Sequence, residues 1–72
     1  MTTTMTPVDS SNLTAVGYDA ETQMLTIEFR DGRKHAYTGV PPETHQMLMN
    51  APSKGRFFHA NIRNTYASTK VT

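Results

Sequence analysis

Between Met24 and Arg30 the chain alternates: Leu25, Ile27 and Phe29 are separated by Thr26, Glu28 and Arg30. A period of two sends successive side chains to opposite faces, so MLTIEFR predicts a strand with one dry side. Asn12 to Tyr18, NLTAVGY, is apolar and β-prone, predicts a strand before it, and ends in the turn candidate Asp19-Ala20-Glu21-Thr22. After Arg30 the register can be argued. A two-residue Asp31-Gly32 loop would set Leu25 opposite Thr38 and Phe29 opposite Lys34, mixing wet and dry faces. A three-residue loop, Arg30-Asp31-Gly32 with glycine left-handed, sets Leu25 opposite Tyr37, Ile27 opposite His35 and Glu28 opposite Lys34. That register groups the apolar residues and pairs opposite charges, and it is the one predicted.

Val40-Pro41-Pro42 ends the third strand, because proline cannot donate to a ladder. The period then lengthens. Proline suits a helix start, so PETHQMLMNA, residues 42–51, predicts a short helix that stops before Pro52. Ser53 is placed to cap a second helix, along which Gly55, Phe58, Ile62 and Tyr66 form one apolar stripe. Glycine early in a helix costs about 1 kcal/mol relative to alanine, which predicts close contact with a neighbouring element at Gly55. The expected architecture is α+β: a three-stranded antiparallel meander followed by two short helices on one face, β-β-β-α-α. Residues 1–7 are expected to be a disordered tail, 8–67 a single domain and 68–72 a frayed end.

At 72 residues and without cysteine, the chain has a small core and neither disulfides nor thiolate metal ligands to support it. No apolar run reaches the roughly 20 residues of a membrane helix, and the first residues lack the features of a signal peptide. A soluble cytoplasmic protein with no membrane partner is expected. Net charge is only +1, yet it is unevenly spread. Residues 1–43 hold all six acids against Arg30, Arg33 and Lys34; residues 44–72 hold Lys54, Arg56, Arg63 and Lys70 and no acid. That asymmetry points towards an anionic partner.

The basic residues concentrate in SKGRFFHANIR, Ser53 to Arg63. On a helical projection Arg56, His59, Ala60 and Arg63 share one side, Phe58 and Ile62 lie opposite, and Phe57 falls between. Guanidinium groups grip phosphates in a forked geometry, and an aromatic at the margin can stack on an unpaired base. The plainer alternative is a solvated face over two core phenylalanines. His35, His45 and His59 have no metal-ligand spacing, and His35 falls on the predicted inner face, so no metal site is expected. No nucleophile turn or phosphate loop occurs, Ser53 is explained as a cap, and so small a domain is not expected to wall off a pocket. No catalysis and no cofactor are predicted.

In order and spacing, VDSSNL with VGYD, LTIEFRDG, AYTGVP and APSKGRFFHANIRNTY resemble the KTSC domain, over roughly Val8 to Tyr66. That short module occurs at the C-terminus of some lysyl-tRNA synthetases and alone in bacteria or phage. Two positions depart from the family pattern. The central Y-x-Y is His35-Ala36-Tyr37, and His59 replaces the asparagine that follows the aromatic pair. The resemblance implies RNA or tRNA as partner. The sequence therefore predicts a non-catalytic binding module using Lys54, Arg56, Phe57, His59 and Arg63 on nucleic acid. Two further expectations are a protein partner or self-association through exposed strand edges, and a small-molecule or interaction surface at His35 and Tyr37.

Overall fold

The computed structural model describes residues 5–8, 10 and 12–71. Its elements are β1 (Met5–Pro7), β2 (Leu13–Asp19), β3 (Met24–Phe29), β4 (Lys34–Tyr37), α1 (Pro42–Asn50), α2 (Lys54–Asn61) and β5 (Ser68–Lys70). The five strands form one antiparallel sheet in sequence order, and the two helices supply the second layer. The fold is α+β, as the alternation and its change of period predict.

The β3–β4 hairpin has the predicted register: Leu25 pairs with Tyr37, Ile27 with His35 and Glu28 with Lys34. Gly32 adopts φ +94°, the left-handed conformation that a three-residue loop needs and that only glycine takes without strain. Its amide donates to the Phe29 carbonyl at 3.0 Å, and the Phe29 amide donates to Arg33 at 2.8 Å, which closes the loop. On the other side β2 pairs Val16 with Ile27 and Tyr18 with Leu25, with an irregularity between Leu13 and Ala15.

The meander has two strands more than the sequence predicts. Met5–Pro7, placed by the sequence in a tail of residues 1–7, pairs with β2, Thr6 opposite Val16, while residues 1–4 lie outside the described residues. Ser68–Lys70, placed by the sequence in an end of residues 68–72, pairs with β4, Tyr37 opposite Ser68 and His35 opposite Lys70, while residue 72 lies outside the described residues. Both strands are three residues long and mostly or wholly exposed, so neither carries an apolar alternation to read. Backbone drives them, because strand amides and carbonyls left unpaired at a sheet edge find partners there. Pro7 is tolerated because it lies on an outer strand.

The core lies between sheet and helices: Leu13, Val16, Leu25, Ile27 and Tyr37 from the strands meet Val40, Leu48, Phe58 and Ile62. Phe58 is its hub, with ring centroids 5.5 Å from Phe29 and 5.3 Å from Tyr37, both edge to face. Such pairs add about 0.5–1.5 kcal/mol each beyond the area they bury. α1 begins with Pro42 in its first turn and buries Leu48. α2 is capped as predicted, the Ser53 hydroxyl accepting from the Arg56 amide at 3.4 Å.

Gly55 is buried, and a methyl group there would stand 3.3 Å from Ser10 Oγ and 3.4 Å from Asn12 Nδ2. The close contact expected of this glycine is thus with the segment that leads into β2, which the Ser10 hydroxyl helps to shape by accepting from the amides of Asn12 and Leu13. The helix is shorter than the stripe. It ends at Asn61, because the Phe58 carbonyl accepts from both Ile62 and Arg63, at 2.9 and 3.0 Å, and winds the chain out of α-geometry. Tyr66, predicted at the end of the helix, lies in the following turn, half-buried against the core.

Candidate nucleic-acid interface

The predicted two-sided character of α2 is present. Phe58 and Ile62 are buried, while Arg56, His59, Ala60 and Arg63 are exposed. Among the described residues no carboxylate forms an ion pair with Arg56 or Arg63. The residues named from sequence nevertheless divide into two groups at the two ends of the helix.

His59 and Arg63 belong with His35 and Tyr37. All four line a single cleft of about 520 Å³, together with Phe29, Phe58 and the hairpin arginines Arg30 and Arg33. The volume falls in the range of small-molecule sites, about 300–1,000 Å³. No walled pocket was expected of so short a chain. The hairpin tip and the turn ending α2 instead enclose an open one between them.

Each cation in the cleft is held by a specific contact. The Arg30 Nε donates to the Ser10 carbonyl at 2.8 Å, which anchors the side chain and leaves its terminal nitrogens for another acceptor. Arg33 grips Asp31 through Nε at 2.8 Å and Nη2 at 2.6 Å. Hydrogen bonds from Arg33 hold the Asp31 carboxyl below the usual carboxylate range. Arg63 Nη1 lies 3.4 Å from His59 Nδ1. A guanidinium cannot accept, so this contact requires Nδ1 of His59 to be the unprotonated nitrogen.

The floor is aromatic. His35 stands edge-on to Phe29, centroids 5.6 Å apart, and both are half-buried. Tyr37 is 4% exposed. Burial pushes its phenol up, and the neighbouring Arg63 charge and a hydrogen bond with the Ser68 side chain oppose that only in part, so the hydroxyl stays protonated at neutral pH. Because His35 pairs with Lys70 across β4 and β5, Lys70 shares its face of the sheet.

Lys54, Arg56 and Phe57 are elsewhere. Lys54 Nζ reaches the Ala51 carbonyl at 3.4 Å, and Arg56 is exposed on the first turn. Phe57 is half-buried on the α1 side, where it lines a separate notch of about 480 Å³ with Met47 and Pro52. Sequence reasoning set the aromatic beside the cations at Phe57; the structure sets Phe29 and His35 there. Arg30 and Arg33 went unnamed as site residues, although cations flanking a hairpin tip are visible in RDGRK.

His45, with no role assigned from sequence, stacks on Tyr18 at 4.6 Å with an interplanar angle of 9°. Tyr18 donates to the Val40 carbonyl at 2.6 Å; burial, with a contribution from Asp19, raises its phenol. Burial also lowers His45. Among the described residues no cluster of three or more histidine, aspartate or glutamate side chains is placed to hold a metal ion.

Residues 9–66 match the KTSC domain. The chain belongs to the KTSC domain family. A crystal structure of a KTSC domain protein from Yersinia pestis superimposes with a TM-score of 0.95 at 39% identity, covering 99% of this chain and all of that one. A protein of Tsukamurella paurometabola is 41% identical over 67 residues, 93% of this chain and 100% of its own length. The lysine–tRNA ligase of Nostoc punctiforme is 40% identical over 58 residues, which are 81% of this chain but 10% of the ligase. Among the described residues no helix is long and apolar enough to cross a membrane.

Proposed function

We propose that this KTSC domain is a non-catalytic module that binds unpaired RNA, tRNA included, in the cleft between the β3–β4 hairpin and the end of α2. One observation carries the reading: Arg30, Arg33 and Arg63 converge on a concavity floored by Phe29 and His35. Guanidinium groups take phosphate oxygens in pairs, and an aromatic floor accepts any base, which together are the physical requirements for single-stranded nucleic acid. The match to a segment of lysine–tRNA ligases supports the same partner. His59 orients Arg63, Tyr37 supplies a neutral donor, and Lys54, Arg56 and Phe57 lie outside the cleft, where the two cations add long-range attraction. A cytoplasmic setting follows from such a partner.

With three arginines in the cleft and two more cations nearby on α2, affinity should be micromolar at best and fall with salt. Fluorescence titration of labelled single-stranded RNA and tRNA at low ionic strength tests this; absence of binding by the wild-type chain ends the proposal.

A second reading rests on the notch between the helices, where Met47 is 58% exposed beside half-buried Phe57. A protein partner or a second copy of the chain could cover that apolar patch. Such association should resist salt and persist in Arg63→Glu, and light scattering with concentration would reveal self-association.

A further inference from the structure

We infer that the cleft is a pocket for one nucleotide bearing a terminal phosphate monoester, and not a groove that follows a continuous backbone. This rests on the nucleic-acid reading above and makes its ligand specific. Three arginines and one aspartate line the cleft, a net charge of +2. An internal phosphodiester carries a single negative charge. A phosphate monoester carries about 1.5 to 2 at neutral pH and has three strong acceptor oxygens. The charge of the cleft therefore matches one monoester more closely than one link of a chain.

The placement of the cations agrees. A surface that tracks a strand spreads its positive charge along a path, whereas here the guanidiniums gather at one concavity from two elements, the hairpin (Arg30, Arg33) and the turn after α2 (Arg63). Arg33 is partly engaged by Asp31, whereas Arg63 lies beside His59 Nδ1 and, among the described residues, forms no ion pair with a carboxylate. Arg63, with the terminal nitrogens of Arg30, is thus the first to meet a phosphate. The Phe29–His35 pair supplies a surface on which one base can rest. Length limits the rest: the described protein measures 28 × 25 × 21 Å, and the cleft volume of about 520 Å³ suits a ligand of one or two nucleotides.

Calorimetric titration of the full chain at low salt tests the inference. The probes are a nucleoside 5′-monophosphate, the same nucleoside without phosphate, and a tetranucleotide in 5′-phosphorylated, 3′-phosphorylated and unphosphorylated forms. The expected result is that the monophosphate and at least one phosphorylated tetranucleotide bind within about fivefold of each other. The unphosphorylated tetranucleotide should bind about tenfold or more weakly, since a charge-assisted contact is lost. Arg63→Ala should lose the preference for the phosphorylated form while its amide spectrum shows an intact fold.

Equal binding of phosphorylated and unphosphorylated tetranucleotides overturns the inference and leaves RNA binding standing. So does affinity that climbs about fivefold or more with each added nucleotide, the behaviour of a stacking groove. Binding of the monophosphate without any tetranucleotide supports the pocket, assigns it to free nucleotides and overturns the RNA reading. If none of the probes binds and longer RNA also fails, both fall together.

Discussion

The two ends of α2 carry similar charges in very different settings. At the first turn, Lys54 and Arg56 sit where the helix dipole is positive, with no acidic residue among them. At the last turn and just beyond, His59 and Arg63 sit at the negative end, which favours cations by about 0.3–1 kcal/mol at exposed sites. The first end faces open solvent and the back of α1. The second faces an aromatic floor with two further arginines across it. Equal charges on one helix therefore differ in what they can do. The notch beside the first end is lined by no cation, whereas the cleft at the second end sets three arginines around a concave surface where each contact is strengthened.

Both ends of α2 are held in place by Phe58, and its loss has the largest effect. Phe58→Ala should cost about 3–5 kcal/mol, comparable to the entire net stability of roughly 3–5 kcal/mol that a core this small supplies. Circular dichroism in urea should show a chain largely unfolded without denaturant, with binding lost at either end.

Next come the charges themselves. Arg63→Glu should weaken single-stranded RNA binding by about 10- to 100-fold, the loss of a charge-assisted contact plus repulsion, whereas Arg56→Glu should cost about threefold or less. Both positions are exposed and both variants should fold. Smaller again is the effect on salt dependence: Arg63→Ala should reduce the slope of log K against log salt by about 1, and Arg56→Ala should leave it nearly unchanged.

How much of this was legible in the sequence follows from what each feature depends on. The hairpin register was readable because Leu25, Ile27 and Phe29 must share a face, and only one loop length does this with Tyr37 and His35 opposite. The Ser53 cap and the tight environment of Gly55 were readable because each answers a local requirement of the helix. Strands β1 and β5 were not, since Thr6 and Thr69 are held by backbone pairing that leaves no mark on side-chain choice. The site was half legible. His59 and Arg63 could be named from composition, as could His35 and Tyr37. That these join Arg30 and Arg33 around one cleft depends on the direction in which the hairpin tip meets the end of α2, which no spacing encodes.

The smallest effect concerns α1, away from the cleft, and serves as a control. His45 is held below its ordinary pKa by burial against Tyr18, so the unfolded chain binds its proton more readily than the folded one. The resulting stability is complete above about pH 6.5, the unperturbed value, and is lost as pH falls below it. His45→Gln should flatten this part of the stability–pH curve in thermal unfolding, without altering RNA affinity at pH 7.5.

The central claim is that the cleft end of α2, and not its exposed first turn, meets the ligand. Amide chemical-shift mapping of the 15N-labelled chain during titration with single-stranded RNA tests it most directly. Saturable shifts are expected at His59, Arg63, Arg33 and His35, with Lys54, Arg56 and Phe57 nearly still. Shifts centred on Lys54 to Phe57, with the hairpin residues unmoved, would contradict it.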